Sequence, residues 1–154
     1  MSEVVRAPKT TGHLEALQRL AATKEGAPPI ARLIGFDLES IELGRSVFSL
    51  QAGEKHANPM GTLHGGVICD VADAAMGTAI ATTLEDDESF TTLNLTADYF
   101  KPVWTQRLRA TARVTKRTRQ IGFIECEVED EKGSLVAKVQ STCLVLRGEE
   151  AKGR

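Results

Sequence analysis

The chain has 154 residues, 42% hydrophobic and 26% charged, which excludes a disordered segment and fits one globular domain. Lys and Arg (19) nearly balance Asp and Glu (21), a net charge of −2 that leaves no electrostatic footprint for nucleic acid or an anionic membrane. The three cysteines, Cys69, Cys126 and Cys143, show no C-x-x-C spacing and read as buried, inert thiols in a reducing, cytoplasmic setting.

In chain order, residues 1–11 are polar and predicted to be loosely ordered, without the apolar run of a secretory signal. No stretch approaches the length of a membrane span. "TTGHLEALQRLAAT" spaces Leu14, Leu17 and Leu20 at helical intervals and predicts an amphipathic helix. "APPIARLIGFDL" predicts a short Pro-initiated helix stopped by Gly35. From Phe36 the apolar residues follow a strand pattern: Phe36, Leu38, Ile41 and Leu43, then, beyond Gly44, Val47, Phe48 and Leu50. The longest helical pattern runs from Gly61 to about Thr83 and ends in the acidic "LEDDES". After it come four strand-length segments, "FTTLNLTADYF", "RLRATARVTKRT", "IGFIECEVED" and "SLVAKVQSTCLVL", the last two joined by the hairpin turn "DEKG". This order predicts an α+β domain with a mostly antiparallel sheet curled over one helix. Residues 1–33 form an N-terminal tail and helices, 34–147 the domain, and 148–154 a disordered tail. No G-x-G-x-x-G nucleotide fingerprint is present.

The long helix carries an anomaly. On a wheel of 100° per residue, Val67, Ile68, Val71, Ala72, Ala75, Met76, Ala79 and Ile80 fill one broad apolar arc. The remaining stripe holds Gly66, Asp70, Asp73, Ala74, Gly77 and Ala81: small residues and two carboxylates, where a solvated helix face would carry long polar side chains. Asp70 and Asp73 are neighbours at i,i+3 and repel each other, far from the helix ends where the macrodipole acts. The wheel alone does not separate them as the working carboxylate. Gly65 and Gly66 open the helix with bare amides that can polarise a carbonyl developing negative charge. Gly65 and Asp73 lie about 12 Å apart along the helix axis. One small reacting group can meet both only if they come from two chains, which predicts a homodimer with shared sites.

"NPMGTLHGG…AD" then carries a resemblance: Asn58, His64-Gly65-Gly66 six residues on, and Asp73 nine after the His. The chain from about Ile34 to Val145, including "DYFKP", resembles the hotdog-fold acyl-CoA thioesterases, in the phenylacetate-pathway (PaaI-like) group with 4-hydroxybenzoyl-CoA thioesterase of the HGG type. The resemblance implies a hotdog fold with one long central helix, and Asp73 as the catalytic carboxylate, a general base on water or a nucleophile. Gly65 is implied to polarise the thioester carbonyl, Asn58 to position the thioester or the water, His64 to orient, and Thr92 to match a residue that orients the water. It further implies a tetramer built from two dimers, with acyl-CoA as substrate and no metal or prosthetic group, coenzyme A being part of the substrate. Asp in place of the Glu of some members shortens the reach and favours water activation.

Two other functions compete with thioester hydrolysis of an aromatic or medium-chain acyl-CoA. A hotdog hydratase or dehydratase needs a catalytic His, for which "EKHANP" offers His56 without the surrounding pattern. A non-catalytic acyl-CoA-binding module is the other, although no DNA-binding element is appended. For the CoA phosphates, the basic cluster "TKRTRQ" makes Arg117 and Arg119 the candidates.

Overall fold

The computed structural model describes residues 8–23 and 27–153. The N-terminal tail expected to be loosely ordered therefore lies, up to residue 7, outside the described residues. Two helices come first, α1 (Gly12–Thr23) and α2 (Pro29–Ile34). Pro29 opens α2 with its fixed φ, and Gly35 closes it in the left-handed region at φ 90°, its N–H bonded to Ala31 O at 2.7 Å. Strands β1 (Phe36–Glu42) and β2 (Arg45–Gln51) form a hairpin across Leu43 and Gly44, the latter at φ 69°. The central helix α3 (Gly65–Ala81) follows, then β3 (Glu88–Tyr99), β4 (Arg107–Arg117), β5 (Ile121–Asp130) and β6 (Leu135–Arg147).

The six strands form one antiparallel sheet in the order β1-β2-β4-β5-β6-β3. Strands β4 and β5 alternate buried and solvent-facing residues, so one face of the sheet closes on α3. Helix α3 touches all six strands. Its apolar arc is the centre of the core: Ala72, Ala75, Met76, Ala79 and Ile80 are at most 1% exposed, while Val67 is only half-buried. Gly122 lets β5 approach α3 closely, because a Cβ there would come within 2.4 Å of Ile80 Cδ1 and force that side chain to shift. Ser46, buried on β2, donates to the carbonyl of Ala75 at 2.6 Å and ties sheet to helix.

Three sequence expectations shift. The long helix starts at Gly65, not Gly61: Gly61 takes φ 81°, Ala57 bridges to Leu63, and Leu63 N–H bonds Val103 O at 2.7 Å, all incompatible with helix. Residues 148–151, expected in a disordered tail, close a turn of 3-10 helix (Gly148–Ala151) against β3 and β6. Cys126 and Cys143 are buried as expected, and burial pushes the Cys126 thiol up to about 12, but Cys69 is half-buried beside Tyr99. Among the described residues no helix is long and apolar enough to cross a membrane.

Candidate active site

The stripe of small residues on α3 opens onto a cavity. Asp70, Asp73, Ala74, Gly77 and Ala81 form one wall of a cavity of about 530 Å³. Helices α1 and α2 make the opposite wall with Leu17, Leu20, Ala21 and Ile30; β1 adds Phe36 and Leu38, and β3 adds Phe90 and Thr92. Gly77 is small for a local reason: a Cβ there would meet the Phe90 ring at 3.3 Å. The cavity is apolar except near its carboxylates, as ligand sites usually are.

Asp73 and Asp70 both line it. Partial burial, and then the negative charge of Asp70, raise the Asp73 carboxyl above the usual aspartate range. Thr92 stands on the facing strand, its Oγ1 3.9 Å from Cys143 Sγ. Burial first, and the charge of Asp73 in addition, push the Cys143 thiol up, so Asp73, Thr92 and Cys143 share one neighbourhood. The fold thus brings Asp73 and Thr92 to one space. A carboxylate made more basic beside an apolar cavity is suited to general-base work.

At the start of α3 the side chains lock one peptide. His64 is the N-cap, and its Nδ1 accepts the Gly66 N–H at 2.9 Å. On the other end of the same peptide, the Tyr99 hydroxyl donates to Gly65 O at 3.0 Å. Desolvation, with Cys69 beside it, pushes Tyr99 up to about 12, so its proton is held for that bond. The preceding amide, Gly65 N–H, has no acceptor among the described residues and is left at the positive end of the helix. Both glycines sit close to these side chains: a Cβ at Gly65 would lie 3.0 Å from the Tyr99 ring, and one at Gly66 3.0 Å from His64 Nδ1, so either neighbour would have to shift. Tyr99 was missed in the sequence; its signal was being the chain's single tyrosine at the end of "DYF".

The other predicted residues stand apart from this cavity. Asn58 is occupied in its own turn: Oδ1 accepts from Met60 N–H (2.9 Å) and Thr62 N–H (3.2 Å), and Nδ2 donates to Thr62 Oγ1 at 2.9 Å. It shapes the loop that delivers His64. His56 is buried, with Nδ1 accepting from Gly53 N–H at 3.3 Å and Nε2 donating to Ile34 O at 2.7 Å. Both its nitrogens are spent, so it offers no proton-transfer group to a hydratase. Arg117 corrects the expectation of an open cation: its side chain is 8% exposed and pairs with the buried Glu88 at 2.9 Å, where Arg147 also binds. Desolvation keeps such a guanidinium inside its ion pair and away from a solvent-borne phosphate. Arg119 is exposed at the β4–β5 turn.

Known proteins share the fold. The sequence profile of the thioesterase superfamily matches residues 60–137, half of the chain. A 1,4-dihydroxy-2-naphthoyl-CoA hydrolase from Listeria monocytogenes is 30% identical over 112 residues, covering 73% of this chain and 91% of that protein. Among solved structures, a mutant of the phenylacetic acid degradation protein PaaI from Thermus thermophilus is similar with a TM-score of 0.71 and 27% identity, covering 76% of this chain and 98% of that one. The PaaI protein of the E. coli phenylacetic acid degradation operon shares the fold, with a TM-score of 0.77 at 23% identity over 88% of this chain and 96% of that one.

Proposed function

The chain belongs to the thioesterase superfamily, and on that premise we propose that it hydrolyses aromatic or medium-chain acyl-CoA thioesters with a water activated by Asp73, at a site shared by two copies of the chain. The observation that carries this reading is the raised carboxyl of Asp73 opening into an apolar cavity beside Thr92. Asp73 takes a proton from water as the oxygen attacks the thioester carbonyl carbon. The carbonyl electrons move to oxygen, and the oxyanion is met by the Gly65 N–H at a helix start. Collapse re-forms the carbonyl and breaks the C–S bond, and the departing thiolate takes the proton from Asp73. The products are a free acid and coenzyme A, and the balance needs no metal or prosthetic group.

The shared site is supported by reach. Gly65 and Asp73 of one chain are about 12 Å apart along α3, so the amide facing a given Asp73 is that of a second copy. An edge strand as long as β3, with Leu93 57% exposed, also favours pairing with another chain over standing alone in water. Two such dimers would make the tetramer that the family resemblance implies.

The test is release of free CoA thiol from a panel of acyl-CoAs. Asp73→Asn is expected to lower kcat by roughly 10²–10⁴-fold with little change in KM, the signature of a lost general base. Asp70→Asn is expected to do much less. A reversal of the two effects would move the catalytic role to Asp70, and no thiol release by the wild-type protein would leave only a binding module.

A further inference from the structure

Helix α1 is unusual among the elements of this fold. None of its residues is buried, and none belongs to the hydrophobic core. Its apolar residues Leu17, Leu20 and Ala21 nevertheless line the cavity, Leu20 with 42% of its surface exposed. Apolar groups facing a void forgo dispersion contacts that an apolar occupant would restore.

The helix is held in place from outside the cavity. The Glu85 carboxylate, in the turn between α3 and β3, accepts both the Lys9 N–H (2.9 Å) and the Thr10 N–H (3.1 Å). Thr10 Oγ1 donates to the same carboxylate at 3.2 Å and accepts the Asp86 N–H at 3.1 Å. His13 Nε2 meets Glu85 O at 3.1 Å. Gly12 permits the approach, since a Cβ there would stand 2.5 Å from Asp86 Oδ1. These polar contacts fix the first turn of α1 and leave its apolar face over the cavity.

At the other wall, three carboxylates line the same space: Asp37, Asp70 and Asp73. A negative charge at the far end of the occupant would meet the like charge of these carboxylates.

We propose that α1 is the outer wall of the acyl site, where Leu17, Leu20 and Ala21 close over the acyl chain and select neutral, apolar acyl groups over short or ω-carboxylated ones. The inference rests on the hydrolytic reading of Asp73 for its kinetic arm, and on binding alone for its second arm. Glu85 acts as a positioning residue that holds the wall.

The kinetic arm compares hexanoyl-CoA with adipoyl-CoA, which has equal length and a terminal carboxylate, and octanoyl-CoA with acetyl-CoA. Wild-type kcat/KM is expected to favour hexanoyl over adipoyl at least tenfold. The full-length Leu17→Ala/Leu20→Ala variant is expected to lose about tenfold of the octanoyl-over-acetyl preference, mainly through KM, the size expected for deleted apolar pocket contacts. Glu85→Gln, which keeps the side-chain shape and weakens the anchor, is expected to shift the same ratio in the same direction. An unchanged ratio in a double variant with wild-type thermal stability, or equal rates on adipoyl and hexanoyl, overturns the proposal.

The binding arm is amide hydrogen exchange on full-length Asp73→Asn protein. Saturating octanoyl-CoA is expected to slow exchange across Gly12–Thr23 about tenfold more than saturating acetyl-CoA does. Equal protection overturns the wall even if every thioester is turned over. Selective protection of α1 in a wild-type protein that hydrolyses nothing would instead sink the hydrolytic reading and keep α1 as the wall of a binding pocket.

Discussion

At the residue scale, the site turns on an aspartate placed where its charge is disfavoured. Burial and Asp70 raise its carboxyl, so the folded protein holds that proton more tightly than the unfolded chain. Stability linked to this group is therefore present at pH below 3.8 and is lost as pH rises through the raised value. Asp73→Asn should then melt at a higher temperature than wild type at pH 7, with the difference vanishing near pH 3. The same shift places the acid limb of kcat/KM above the ordinary aspartate range, because the base must be ionised. Calorimetry and a pH–rate profile check the pair; an Asn variant less stable than wild type at pH 7 would contradict the electrostatic account. Asp73 was singled out in the sequence only through the family resemblance. The wheel puts both carboxylates on the stripe, and both line a cavity whose far wall is built from residues remote in sequence.

At the scale of elements, helix α3 was legible where its pattern was strong and misread where loop chemistry took over. Its apolar arc and its stripe are both found in the structure, but residues 61–64 belong to a turn organised by Asn58. Strand β4 shows the opposite failure. Its end carries the basic cluster as read, yet Arg117 turns inward to Glu88, because β3 and β6 deliver Glu88 and Arg147 to the same point. Two arginines two residues apart should therefore behave differently. Arg117→Ala is expected to destabilise the fold by about 3 kcal/mol, the low end for breaking a buried pair, since Arg147 remains on Glu88. Arg119→Ala should leave stability unchanged and, if this turn meets the nucleotide, raise KM for acyl-CoA with kcat intact. Urea unfolding and steady-state kinetics on the two variants separate the roles; a stable Arg117→Ala with raised KM would restore Arg117 to the CoA rim.

At the scale of the whole molecule, the question is how many chains make one site. Asp73→Asn and Gly65→Pro each remove one half of the proposed site, Pro by deleting the backbone N–H. A Pro there must also displace Tyr99, whose ring lies 3.0 Å from the new Cβ, so its folding and assembly are checked by circular dichroism and gel filtration. Mixed dimers would hold one doubly defective site and one intact site. Random co-refolding of the two inactive parents should restore about a quarter of wild-type activity, since about half the dimers are mixed. A folded mixture as inactive as its parents would rule out the shared site.

What the sequence determined by itself was everything written in local period and spacing. The 3.6-residue pattern of α3, the alternation of β4 and β5, the Gly35 stop and the Asn58-His64-Asp73 spacing each depend on neighbours close along the chain; the α+β class follows from the order of the elements, and the hotdog fold from the family resemblance that the spacing carries. Tertiary structure alone decided which polar groups remain free to act. His56 and Arg117 read as candidates until Ile34, Gly53 and Glu88 were brought beside them, whereas Tyr99 became part of the site only when β3 crossed the start of α3. The physical reason is the same in each case. A side chain's availability is set by hydrogen-bond partners and desolvation, and both come from residues remote in sequence that only the folded chain brings together.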